Sequence, residues 1–316
     1  MTRRRALLVG SMNPVAAAVL RGWTARGHEV AGFWRGSRKH HGSGRRDARV
    51  GLLAPRWSVR AVTRRHGIPV REVPRLATWD DALREVDASG ADVLISVYFP
   101  YVVPPHILER FGARAVNLHP APLPRYRGPS PIGAMVLDGT LLTDAAMTLH
   151  VMTPGLDEGP IIAQQPIRFD WRKGIGGFTA ASARAAEGLV RDELHAYLAG
   201  EITATPQDES LATYPRIGAT DTVLTPDLTS EAMALRCRML GERGRLGVEG
   251  FARAGVTGLA ARLGPPTGEP PRIGLLSVEM NAADARVRLS RKTPFTRTGS
   301  RARSYIALVK EPRDGS

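Results

Sequence analysis

The sequence is short of the features that place a protein outside the cell or in a membrane. It has one cysteine, Cys237, in 316 residues. No disulfide can form within such a chain, a pattern that fits a reducing compartment. No run approaches the roughly 20 apolar residues that span a bilayer. The opening MTRRRALLVG is basic and then apolar, but the apolar part is too short for a secretory signal and lacks a typical cleavage region. These absences set the expectation of a cytoplasmic protein with no membrane partner. The chain also lacks G-x-G-x-x-G after its first apolar run, reading V-G-S-M-N-P from Val9 to Pro14, which disfavours a nicotinamide dinucleotide site. Aromatic residues are scarce at 6%. Acidic residues are outnumbered, 30 Asp and Glu against 44 Lys and Arg, for a formal charge of +14. That charge suits a polyanion such as tRNA. The arginines are spread along the whole chain, so a general compositional bias explains it equally well.

What is present is an ordinary globular composition, 43% hydrophobic and 23% charged, on a length that fits about two domains. Ala6–Val9 reads as a strand. Val15, Val19, Leu20 and Trp23 recur at helical spacing within 14–26, and Glu29–Trp34 reads as a second strand, together a β-α-β opening. Residues 35–49 have no apolar period and many Gly, Ser and basic residues, so a loop is expected, either a solvated insertion or an anion clamp. Helices are expected at 58–66 and 79–87, with an extended segment at 68–73 between them. Asp92–Val97, DVLISV, is nearly all apolar, as a strand covered on both faces must be. A short helix at 104–111 and a strand at 113–119 follow. Pro120, Pro122 and Pro124 bar helix. Ser130-Pro131 forms a helix start, with Ser as cap, running to Leu137. Strands at 145–152 and 161–169 and a long Ala-rich helix at 180–198 complete the pattern. The alternation implies an α/β, Rossmann-like domain with a mostly parallel sheet over residues 1–200. Residues 201–229 read as a linker. Residues 230–316 read as a smaller β-rich domain, for which an OB-like form is one option, with a helix at 230–240 and apolar runs at 273–280, 285–289 and 305–309.

The strand ending N-L-H puts Asn117 and His119 on one face, because side chains alternate. They emerge at the carboxyl end of that strand, the edge where open α/β sheets place ligands. Asp157 lies in the turn PGLDEGP, between Gly155 and Gly159. A carboxylate beside His119 would hold its tautomer and favour its protonated form. An amide N–H and an imidazolium together stabilise an oxyanion, which suits acyl transfer to an amine. Taken singly, each residue is more often a local hydrogen-bonding or turn residue. His40 and His41 lie in a basic loop without carboxylates at ligand spacing, so no metal is expected. Cys237 is expected to pack rather than react.

The run N-L-H-P-A-P-L-P-R-Y-R-G-P-S-P-I, Asn117 to Ile132, followed by Thr148-Leu149-His150 and Asp157-Glu158-Gly159-Pro160-Ile161, resembles the signature of the folate-dependent formyltransferases in order and spacing. The resemblance is strong from about residue 92 to 169 and weaker on either side. It implies 10-formyltetrahydrofolate as formyl donor and Asn117, His119 and Asp157 as the catalytic trio. It implies folate contacts from Val97, Tyr98, Phe99 and Val102, and from Met152 and Gly155. Arg125, Tyr126, Arg127 and His150 are candidates for substrate contacts, with loop solubility or strand packing as the competing reading. Within this family, Thr148-Leu149-His150 resembles the T-x-H of amino-sugar and other small-molecule formyltransferases. The opening Gly10-Ser11-Met12-Asn13-Pro14 and the run Ala121–Gly128 depart from the tRNA-modifying subgroup. The resemblance therefore favours a small-molecule amine as acceptor. Methionyl-tRNA is the alternative, and a non-catalytic folate-binding homologue is a third.

Overall fold

The computed structural model describes residues 3–36, 43–218, 220–241, 246–249 and 251–291. The apolar run at 305–309 lies outside them. The chain forms two compact units. The first takes Met1–Pro129, Asp144–Ile167 and Thr179–Tyr214; the second takes Ser130–Thr143, Arg168–Phe178 and Pro215–Ser316.

The first unit is built on seven strands, β1 (Arg5–Gly10), β2 (Glu29–Gly36), β3 (Val70–Val73), β4 (Val93–Val97), β5 (Ala115–His119), β6 (Ala146–Val151) and β7 (Ile161–Pro166). Their order is β3-β2-β1-β4-β5-β6-β7. The first five are parallel, while β6 runs antiparallel to β5 and β7 antiparallel to β6. The sheet is therefore Rossmann-like and mostly parallel. Its chain direction across the sheet reverses between β1 and β4, which opens a crevice at their carboxyl ends. Every residue of β4 is buried, as its continuous apolar run requires. On one face Leu7, Val9, Trp34 and Leu94 pack against Ile107 and Phe111. Burial of each such side chain stabilises by about 1.5–3 kcal/mol.

The first helix, Pro14–Ala25, starts where Asn13 Oδ1 accepts the Ala16 N–H at 2.9 Å, with proline at its first position. A Cβ added at Gly22 would lie 2.5 Å from the Glu187 carbonyl oxygen. Two helices thus approach backbone to backbone there, and glycine is what permits it.

The structure corrects three local expectations. Residues 35–49 are not loop throughout, because a helix spans Ser43–Leu53. Its anchor is tertiary: buried Asp47 accepts the Ser58 hydroxyl at 3.0 Å and the N–H groups of Val59 and Arg60 at 2.7 and 2.9 Å. The long helix begins at Gly174, not 180, and passes through a π-helical segment, Leu189–Glu193, before continuing to Ala199. The helix Pro131–Leu137 has the expected bounds, but Ser130 does not cap it through its side chain.

In the second unit a six-stranded sheet has the order β11-β12-β13-β10-β9-β8. The strands are β8 (Val223–Leu224), β9 (Leu246–Val248), β10 (Phe251–Gly264), β11 (Arg272–Ile273), β12 (Ser277–Asn281) and β13 (Arg286–Arg291). All pairs are antiparallel except β8 with β9. The helix Ser230–Leu240 buries Met233 and Cys237 in a core with Val248, Val278, Met280, Val287 and Leu289. Burial pushes the Cys237 thiol up to about 12, so it packs as an apolar group. Among the described residues no helix is long and apolar enough to cross a membrane.

Candidate active site

The three residues singled out in the sequence meet. Asn117 and His119 share a face of β5, and the β6–β7 turn returns Asp157 to them. Asn117 Nδ2 lies 3.4 Å from Asp157 Oδ1, and His119 Nδ1 lies 3.5 Å from Asp157 Oδ2. The antiparallel register pairs Asn117 with His150 and His119 with Thr148. His150 thus joins the group: Asn117 Nδ2 is 3.1 Å from its Nε2, which lies 3.6 Å from Asp157 Oδ1.

His150 Nδ1 is 2.9 Å from the Val151 carbonyl, and its Nε2 lies between the Asn117 amide and Asp157 Oδ1. His119 Nε2 is 2.8 Å from the Tyr126 carbonyl and donates to it. Its Nδ1 is then the position that faces the carboxylate and gains or loses a proton. Asp157 Oδ2 also accepts the Gly128 N–H at 2.9 Å.

His119, His150 and Asp157 are buried, whereas Asn117 is half-buried and reaches the solvent side. Burial holds His119 below the ordinary histidine range, with His150 adding to the effect, and it outweighs the pull of Asp157 and the Tyr126 carbonyl. Asp157 thus favours the protonated form as expected, but its pull is smaller than the cost of burial. At 3.5 Å the contact is too long to repay the desolvation of an imidazolium. For Asp157, burial acts to raise the carboxyl. The neighbouring His150 and His119 imidazoles and the Gly128 N–H outweigh it, and the carboxyl stays below its ordinary range. The resting site is a carboxylate beside a neutral imidazole.

Among the described residues three non-glycine residues have left-handed φ, and two of them stand here, Tyr126 at +63° and Asp157 at +58°. Each such residue costs about 1 kcal/mol or more, and such strain collects at functional sites. The third, Tyr98 at +50°, follows β4. Its carbonyl accepts the Ser11 hydroxyl at 2.6 Å, tying together the loops after β1 and β4. Val97 is buried, and a Cβ at Gly10 would sit 2.6 Å from its carbonyl oxygen. Phe99 and Met152 pack against the same buried cluster. Val102 is exposed, and Gly155 lies half-buried in the turn with Asp157.

The remaining expected residues separate. Arg125 is exposed and paired with Asp144 at 2.8 Å. Tyr126 is buried and contributes its carbonyl. Arg127 is fully buried and faces away from solvent, bound to Glu209 at 2.7 Å. Sequence reasoning did not single out Gly128 or Gln207. Gln207 Nε2 donates to the carbonyls of Asp157 and Gly159, at 2.8 and 2.7 Å. Among the described residues no group of three or more His, Cys, Asp or Glu could hold a metal ion.

A family model described as formyl transferase matches residues 56–184, a span that holds Asn117, His119, His150 and Asp157. Residues 56–184 are thus similar to the formyl transferases. The chain is 31% identical over 208 residues to a methionyl-tRNA formyltransferase of Synechococcus sp., which covers 65% of this chain and 64% of that protein. A methionyl-tRNA formyltransferase of Listeria monocytogenes is 37% identical over 150 residues, 47% of each chain. The chain thus spans between about half and two thirds of the length of these relatives. Among solved structures, an N-formyltransferase from Helicobacter canadensis, in complex with folinic acid and dTDP-3-aminofucose, superposes with a TM-score of 0.63 at 14% identity, covering 92% of this chain and all of that one. At that identity the likeness shows the formyltransferase fold.

Proposed function

We propose that the protein transfers the formyl group of 10-formyltetrahydrofolate to a primary amine. The observation that carries this reading is the meeting of Asn117, His119 and Asp157, within 3.5 Å of one another through the carboxylate, at the carboxyl end of a parallel strand. The donor fits the neighbouring loops. Val97–Val102 offers backbone groups, half-buried Phe99 and exposed Val102. Met152 and Gly155 line the turn that bears Asp157, so a flat, partly apolar heterocycle meets apolar side chains and main chain there.

The folate supplies the formyl carbon, and the chain's residues do the rest. The Asn117 amide, the half-buried member, turns the N–H it directs at Asp157 Oδ1, the longer of its two contacts at 3.4 Å, onto the formyl oxygen as negative charge develops there. Asp157, ionised at rest, accepts the proton that the attacking amine loses. His119 Nδ1, 3.5 Å from the carboxylate, is the adjacent position that relays that proton to the folate nitrogen, whose bond to the formyl carbon breaks as the new amide bond is completed. Burial of both groups keeps water away from the exchange.

For the acceptor we assign an amine on a small molecule, such as a nucleotide-linked amino sugar. His150 supports it, because the buried imidazole fills the space beside Asn117 and fixes its amide. Methionyl-tRNA is the second reading, favoured by the +14 charge and by the named activity of the sequence relatives. The test is to incubate the protein and 10-formyltetrahydrofolate with initiator methionyl-tRNA and, separately, with nucleotide-linked amino sugars. Formylated sugar is the expected product. Product from the tRNA alone overturns the acceptor assignment, and no product from any primary amine overturns formyl transfer.

A further inference from the structure

Arg127 is among the largest fully buried side chains of the protein, and none of its nitrogens is idle. Nε and Nη2 donate to Gln207 Oε1 at 3.1 and 2.8 Å. Nη1 and Nη2 donate to Glu209 at 2.9 and 2.7 Å, and Nη1 reaches the Tyr214 hydroxyl at 2.5 Å. The hydrogen bond to Glu209 holds the guanidinium charge above its ordinary range, ahead of the opposing effect of burial. Every partner comes from residues 207–214. The same stretch joins the main chain around Arg127: Arg127 N donates to Thr213 O at 2.9 Å, and Thr213 N to Pro124 O at 3.3 Å.

The consequence lies in what flanks Arg127. The residue before it gives the carbonyl that holds His119 Nε2, and the residue after it gives the N–H that holds Asp157 Oδ2. Gln207 meanwhile turns its amide N–H groups onto the carbonyls of Asp157 and Gly159, and Tyr214 donates to Glu158 at 3.0 Å. One polar cluster therefore fixes the backbone on both sides of the His119–Asp157 pair. It does so where Tyr126 and Asp157 hold left-handed backbone, which relaxes unless its surroundings impose it.

The geometry points to Gln207 and Arg127 as positioning residues for formyl transfer, with residues 207–214 completing the site from outside the signature motif. This rests on the assignment of His119 and Asp157 above. Neither residue touches the reacting atoms. Their role is to hold the imidazole and carboxylate in register, where displacements of about 1 Å cost up to a hundredfold in rate.

The test uses the full chain with Gln207→Leu, which keeps the bulk of this half-buried side chain and removes both its donors and its acceptor. Titration of His119, followed by nuclear magnetic resonance of labelled histidine, needs no acceptor. The titratable groups that act on it are Asp157 and His150, beside the Tyr126 carbonyl. The His119 midpoint is expected to move by about half a pH unit or more as the contacts on both sides loosen. Turnover of 10-formyltetrahydrofolate with the accepted amine is expected to fall about tenfold or more in kcat, with KM for the folate changed less than about threefold. An unchanged midpoint overturns the inference even if the variant is less stable, since a structural role alone predicts that pattern. Should Gln207→Leu not fold, Gln207→Glu decides by the same two measurements, because it keeps the acceptor for Arg127 and loses the donors. Asp157→Asn is run alongside. Full turnover in that variant sinks the catalytic assignment, whereas a dead Asp157→Asn with an unaffected Gln207→Leu sinks only the positioning role.

Discussion

At the scale of residues, the site works by contrast between two buried groups that titrate in the same direction. His119 and Asp157 both sit below their ordinary values, so at neutral pH one is neutral and the other ionised. We expect His119→Ala and Asp157→Asn each to lower formyl transfer at least about a hundredfold, with the circular dichroism spectrum retained; turnover within a few fold of the parent in either variant rejects the assignment. His28 behaves like His119: burial, then His195, Arg4 and Arg26, hold it down against the pull of Asp92. For all three groups the folded state binds fewer protons than the unfolded one. Their stability is therefore complete above the unfolded value and is lost as pH falls. For the two histidines the loss begins below the reference value of 6.5, and for Asp157 below 3.8. The melting temperature should fall between pH 7.5 and pH 5, as scanning calorimetry would show. A flat or rising curve over that interval contradicts the assigned directions.

At the scale of elements, two close approaches decide the architecture. Gly22 lets the first helix touch the main chain near Glu187. Alanine there gains about 1 kcal/mol of helix propensity but puts a methyl 2.5 Å from a carbonyl oxygen. Overpacking against backbone costs about 1–3 kcal/mol. Gly22→Ala should therefore be neutral to destabilising, never stabilising, in urea titration. In the β6–β7 turn a Cβ at Gly159 would overlap the Val151 carbonyl. Gly159→Ala should displace Asp157 and lower both the melting temperature and turnover, the latter about tenfold or more. Full activity in that variant would show that the turn need not keep this shape.

At the scale of the whole molecule, a charge of +14 makes any nucleic-acid encounter salt-dependent. Affinity for tRNA should drop steeply between about 50 and 200 mM salt by filter binding, about tenfold or more if even a few phosphates are neutralised. Turnover of a small amine, if that is the acceptor, should change far less over the same range. Equal salt sensitivity of both would mean that the basic surface acts on the reaction itself, not only on polyanion encounter.

The sequence by itself carried the α/β alternation, the strands from Ala6 to His119, the helix from Ser230 and the three residues that meet at the candidate site. These were legible because apolar periodicity and an ordered motif are local properties. The tertiary structure alone decided the rest. The antiparallel pairing of β6 puts His150 opposite Asn117, and burial rather than charge fixes the state of His119. The buried guanidinium of Arg127 is held by residues about 80 positions away. Each of these depends on which distant segments touch and how much water they exclude, and neither periodicity nor composition encodes that.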